Sequence, residues 1–125
     1  MQNCAARIVT DTMKYDHTTP AIEQLDWLPV RQMLSLRGDA VIFKCLKGLA
    51  PHYLSERFIK RSEVHSRNTR NKNMLQIPMR CSSTGQRSFL YRAVLLWNNL
   101  PGSIKCIESL ASFKLALKDH FKKDK

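Results

Sequence analysis

The sequence predicts a mainly α fold: a small helical domain with a basic, irregular arm and at most one short strand or hairpin. Three observations carry that expectation. Apolar residues recur at helical spacing through most of the 125 residues, with Gly and Pro standing where those runs stop. Only Met74-Leu75-Gln76-Ile77-Pro78 reads as extended, and Pro78 argues against a central strand. Hydrophobic residues make up 43% and charged residues 25% of the chain, an ordinary globular balance. The length suits one core and not two, so residues 1–125 are read as a single module with 60–88 as its basic loop or arm.

Taken in order, residues 2–12 read as a short helix on the spacing of Ala5, Ile8 and Val9. Asp16-His17-Thr18-Thr19-Pro20 stops it and starts another, with Thr19 as cap and Pro20 at the first helical position, where a missing N–H costs nothing. That second helix carries Ile22 and Leu25 and is interrupted at Leu28-Pro29. The longest helix is expected over Val30–Leu46. Val30, Met33, Leu34, Ala40, Val41 and Cys45 fall near one face, and Leu36, Phe43 and Leu46 widen it. Gly38-Asp39 is its weak point, Gly48 is placed to end it in the left-handed region, and Pro51 opens a further helix with Tyr53, Leu54, Phe58 and Ile59 inward.

From 62 to 73 Val64 is the one aliphatic residue among Arg, Asn, Ser, Thr and His, which reads as an exposed loop or an arm without fixed structure. After a polar loop at 81–85, residues 86–98 read as a helix with Phe89, Ala93, Leu96 and Trp97 on its apolar face. Asn98-Asn99-Leu100-Pro101-Gly102 turns the chain. Ser109 caps a last helix whose inward face is Leu110, Phe113, Ala116, Leu117 and Phe121, with lysines near its C-terminal end.

The formal net charge is +11, from 21 Lys and Arg against 10 Asp and Glu. It is not spread evenly. Between 57 and 92 stand Arg57, Lys60, Arg61, Arg67, Arg70, Lys72, Arg80, Arg87 and Arg92, opposed by Glu63 alone, so +8 of the charge lies in 36 residues. A face kept only for solubility mixes the signs; this one segregates them. Seven of the nine are arginine, whose planar fork grips a phosphate through two hydrogen bonds. Aromatic residues are missing from 61–88, so a base-stacking platform is not expected there. The nine basic residues are therefore the candidate nucleic-acid-binding set, acting on RNA or DNA through phosphates without base readout.

Other function classes find little support. Apolar runs such as Ala40-Val41-Ile42-Phe43 are far short of the roughly 20 residues a membrane span needs, and no secretory signal opens the chain. Cys4, Cys45, Cys81 and Cys106 are separated by 41, 36 and 25 positions, and His17, His52, His65 and His120 are equally scattered. They read as buried thiols and surface imidazoles, with no metal site and no cofactor. Asp11, Asp16, His17, Glu23 and Asp26 are the one acidic cluster, which a helix-turn-helix surface explains. No Gly-rich phosphate loop occurs, and Trp27 and Trp97 read as core anchors. No catalytic residues and no small-molecule substrate are expected.

Several landmarks form an ordered series. Gln2-Asn3-Cys4-Ala5-Ala6-Arg7-Ile8-Val9-Thr10 leads to Asp16-His17-Thr18-Thr19-Pro20 and Leu25-Asp26-Trp27-Leu28-Pro29-Val30. Phe43-Lys44-Cys45-Leu46-Lys47-Gly48-Leu49-Ala50-Pro51-His52-Tyr53-Leu54 follows. Beyond the arm come Pro78-Met79-Arg80, Gly85-Gln86-Arg87-Ser88-Phe89, Leu96-Trp97-Asn98-Asn99-Leu100-Pro101, Ser112-Phe113-Lys114 and Leu117-Lys118. In this order and at these spacings the series resembles the C-terminal region of the endonuclease–reverse transcriptase polyproteins of animal non-LTR (LINE-like, jockey-type) retrotransposons, across essentially the whole chain. The chain departs from that pattern in having Ala93-Val94 where the family usually has Ala-Pro. It also has Pro78-Met79-Arg80 for a Pro-Arg pair, and a less basic run after Trp27, as in a divergent or decayed copy.

The resemblance implies a segment just after the polymerase thumb of an RNA-directed DNA polymerase. The paired metal-binding aspartates and the endonuclease lie upstream in the family. It implies that Met1 begins a truncated reading frame, and that a first helix made to pack on the thumb would leave its apolar face uncovered. The expected function is that of a noncatalytic fragment binding template RNA or target DNA. The alternatives are a structural module docking on the polymerase body and a nonfunctional decayed fragment. The expected partners are RNA or DNA and the upstream polymerase region, with no membrane, at an intracellular location, nuclear and cytoplasmic.

Overall fold

Helical periodicity is realised along most of the chain. In the computed structural model, which describes residues 1–124, the elements are α1 (Gln2–Thr10), α2 (Thr19–Gln24), α3 (Val30–Leu46), α4 (His52–Ser55) and α5 (Arg61–Val64). They continue with α6 (Ser83–Gln86), α7 (Phe89–Asn99), α8 (Gly102–Lys105) and α9 (Leu110–Lys123). Among the described residues the only β pairing is an isolated antiparallel bridge between Lys60 and Leu75.

Local chemistry sets the boundaries. Asp11 ends α1 at φ 53° and Asp26 turns the chain after α2 at φ 54°; a short carboxylate side chain tolerates this left-handed region better than most. Gln2 then ties the ends together: its Nε2 donates to the Leu28 carbonyl at 2.7 Å, and its Oε1 accepts from the Val30 N–H at 3.0 Å, capping α3 from outside. At the other end of α3, Gly48 adopts φ 71°. The Leu49 N–H reaches back to the Lys44 carbonyl at 2.8 Å and the Gly48 N–H to that of Cys45, a Schellman closure of the last turn. Gly38 does not break α3, although glycine costs a helix interior about 1 kcal/mol against alanine.

The core forms where α3, α7 and α9 meet. Phe43 of α3 stacks on Phe113 of α9 with ring centroids 4.4 Å apart, and Trp97 of α7 lies 5.7 Å from the same Phe113 ring. Ile42, Val94 and Leu117 fill in around them, and Ile104 of α8 closes one side. Asp26 fastens the far end of the bundle, accepting from Lys118 at 3.2 Å and from Lys122, both on α9. Those two lysines hold its carboxyl below the usual aspartate range.

Several inward assignments are corrected. The core side of the turn after α2 is taken by Leu28, so Trp27 lies at the surface over a shallow hollow of about 510 Å3. The helix after Pro51 stops after one turn; Phe58 enters the core from the loop beyond it, and Tyr53 and Ile59 are left outside. In α1 and α2 the buried residues are Ala6 and Ala21, and the two helices pack on each other, leaving Ile8 and Val9 exposed. Of the cysteines, only Cys45 is buried, and burial pushes its thiol pKa up. The weak point beside Gly38 proves to be central instead. Asp39 is 0% exposed within α3, and neither carboxylate oxygen has a hydrogen-bond partner among the described residues.

Candidate nucleic-acid interface

The arm has a fixed root. The Gln76 N–H donates to the Ile59 carbonyl and the Arg61 N–H to that of Met74, each at 2.8 Å, while the Ser62 N–H donates to the Lys72 carbonyl at 3.1 Å. These bonds close a loop that begins at the Lys60–Leu75 bridge and carries α5 on its outgoing limb. Turns at Thr69–Lys72 and Asn71–Met74, each closed by a backbone hydrogen bond, fold the tip. The segment expected as an exposed loop or a structureless arm is the former, with a defined path.

Asn98 is what holds that root to the core. Its Oδ1 accepts from the Leu75 N–H at 3.0 Å, and its Nδ2 donates to the Leu75 carbonyl at 3.1 Å. The carboxamide thus satisfies both backbone groups of one residue, as a neighbouring strand would. Leu75 is 0% exposed and sits in the core with Phe58, so both limbs of the arm are anchored by a buried side chain. Nothing in the local pattern around Asn98 marked it for this role, since it lies 23 residues from its partner and reads as a helix end. Asn98→Ala is expected to lower the unfolding free energy by about 1–3 kcal/mol, because it strands a buried amide pair. Amide exchange at Leu75 should quicken with it; unchanged exchange there would remove Asn98 from this role.

The nine basic residues do not form one patch. Lys60, Arg61, Arg67, Arg70 and Lys72 lie on the arm, Arg61 half-buried and the others exposed. Arg61 and Arg67 share the wall of an open, polar depression of about 830 Å3 with His65, Ser66, Thr69 and Asn71. Arg57 is exposed in the turn after α4, ahead of the arm's root. Arg80 is exposed before α6, where its carbonyl accepts from Gln86 Nε2 at 3.3 Å and the Ser82 hydroxyl caps the turn by accepting from Gly85 N–H.

Arg87 and Arg92 belong elsewhere. They line a groove of about 400 Å3 between α3 and α7, together with Arg31 and Arg37 of α3. Those two α3 arginines lie some fifty positions upstream, outside the basic window, and only the packing of α3 on α7 brings the four together. The signal that would have found them is Arg31, Leu34, Gly38 and Val41 at helical spacing, a stripe on one side of α3.

Among the described residues no group of three or more His, Cys, Asp or Glu side chains is placed to hold a metal ion, and no helix is long and apolar enough to cross a membrane. Comparison with protein families, curated proteins and solved structures finds no match to this chain.

Proposed function

We propose that this chain is a noncatalytic nucleic-acid-binding module that holds RNA or DNA by phosphate contacts from its arm. The observation that carries the reading is the arm itself. Arg61, Arg67, Arg70 and Lys72 stand on one projecting loop, pinned at its root, with Glu63 as the arm's sole opposing charge. A pinned loop presents its cations without having to be ordered on binding, so less affinity is lost to entropy. Ser66, Asn68, Thr69 and Asn71 add neutral donors along the same loop, suited to sugar and phosphate oxygens. The resemblance to the C-terminal region of retrotransposon reverse transcriptases supports the same assignment. The module would steady template RNA or target DNA for a polymerase carried elsewhere in the polyprotein.

Phosphate contact has a signature in salt. Four neutralised phosphates release enough counterion to make the log–log slope of affinity against salt about −3 to −4. Replacing Arg61, Arg67, Arg70 and Lys72 together by alanine should bring that slope close to zero and weaken binding to all sequences alike. A control in which Lys14, Lys47, Lys114 and Lys123 are replaced removes the same charge from exposed positions outside the arm and should keep most of the affinity. Filter binding on RNA and DNA oligonucleotides measures both. Salt-independent binding, or equal losses in the two variants, would overturn the assignment.

A further inference from the structure

We propose that the α3–α7 groove is a docking site for an acidic amphipathic helix of a partner protein, separate from the nucleic-acid arm. Its floor is apolar: Val41 and Leu96 are half-buried along it, while Leu34 is 62% and Phe89 55% exposed. Leu34 on α3 and Phe89 on α7 thus stand open beside the buried middle of α3, which makes one apolar strip between the two helices. The rim carries the opposite chemistry. Arg31 and Arg37 stand on the α3 side and Arg87 and Arg92 on the α7 side, and among the described residues no carboxylate lines the groove.

This pairing of floor and rim selects the occupant. A sugar-phosphate backbone would satisfy the arginines and leave the apolar floor uncovered. A small anion would engage arginines of the rim and likewise leave the apolar floor uncovered. A helix with an apolar stripe flanked by glutamates or aspartates satisfies both, laying the stripe on Leu34 and Phe89 and its carboxylates against the two arginine rails.

Gly38 adds an independent observation. A Cβ built there would meet nothing closer than Phe89 Cε2 at 3.8 Å, an ordinary contact, so the packing of α7 on α3 does not require glycine. The glycine lies in the groove wall, and its effect is to keep that wall low at the cost of helix propensity.

The test uses the full chain and a labelled synthetic helix about 14 residues long, with leucines at i, i+3, i+4 and i+7 and glutamates on the flanks. A scrambled peptide of identical composition controls for the attraction of any acidic peptide to a +11 protein. Fluorescence anisotropy should show the amphipathic peptide binding at least about tenfold more tightly than the scramble. Leu34→Glu, an exposed-position change whose fold is checked by circular dichroism, should abolish that difference, and Gly38→Ala should weaken binding while raising thermal stability. The arm variant that loses Arg61, Arg67, Arg70 and Lys72 should bind the peptide as before, so failure of the arm assignment and failure of this one are distinguishable. Equal binding of the scramble, or indifference to Leu34→Glu, would overturn the proposal. It is equally overturned if Arg37→Ala with Arg92→Ala lowers oligonucleotide affinity and leaves peptide affinity intact, which would give the groove to nucleic acid.

Discussion

At pH 8 the Asp39→Asn protein is expected to resist denaturant better than the native chain by roughly 4 kcal/mol, and at pH 5 to lose most of that advantage. Asp39 lies wholly inside the fold on α3, and its oxygens have no hydrogen-bond partner among the described residues. Burial raises its pKa from 3.8 to about 7, opposed only in part by the charge of Lys105. Lys105 is itself lowered by burial and donates to the Asn98 carbonyl at 3.1 Å, so it does not neutralise Asp39 through a direct bond.

The sign follows from proton binding. Between pH about 4 and 7 the folded chain keeps a proton on Asp39 that the unfolded chain releases, so stability falls as pH rises through that window and levels off above it. At 1.36 kcal/mol for each pKa unit, the whole fall is roughly 4 kcal/mol. Asparagine cannot ionise and should flatten the curve. Asp26 acts in the opposite sense: held low by Lys118 and Lys122, it contributes stability that is lost only as pH drops below about 3.8, outside the window measured. Urea unfolding at pH 5 and pH 8 on both proteins decides the matter. Parallel pH profiles for the two would show that Asp39 binds its proton equally well in the folded and unfolded chains, which would overturn the upward shift.

Phe113→Ala should cost about 3–5 kcal/mol, a large part of the 5–15 kcal/mol that holds a domain of this size together. The ring is 0% exposed and touches two other helices, stacked on Phe43 at 4.4 Å and tilted against Trp97 at 5.7 Å. Truncation therefore leaves a cavity where three helices converge, and none of the three can move to fill it without losing its other contacts. Phe113→Leu keeps most of the volume and should cost distinctly less. Denaturant midpoints followed by circular dichroism measure both. A loss below about 1 kcal/mol for the alanine variant would mean that α9 is not part of the cooperative core.

The helices with strong local punctuation were legible. The ends of α3 follow from Pro29 before it and Gly48 after it, and the inward face of α9, with Phe113 and Leu117 buried, follows from spacing alone. Reading failed where a helix was too short for spacing to mean much. Tyr53 and Ile59 were expected inside because a one-turn helix looks, in sequence, like the start of a longer one. Trp27 was expected inside because it sits beside apolar neighbours and a turn, yet the turn at Asp26 leaves Leu28 to take the buried place. The candidate site divides in the same way. Arg61, Arg67, Arg70 and Lys72 are neighbours in sequence and remain neighbours on one loop. Arg92 on α7 and Arg87 at the end of α6 share the same basic window but stand on a different surface with Arg31 and Arg37.

By itself, then, the sequence determined where α1, α2, α3, α7 and α9 lie, where the long ones stop, and that its positive charge gathers in 57–92; the one-turn helices α5, α6 and α8 fall in segments that read as loops or turns. These are matters of periodicity, capping and composition, which act within a few residues. Only the tertiary structure decided that Asn98 fastens the arm through Leu75, that Asp39 is sealed in the core, and that Arg31 and Arg37 of α3, Arg92 of α7 and Arg87 just before α7 frame one groove. Each of these depends on which faces of α3 and α7 meet, and that is settled by packing between residues tens of positions apart.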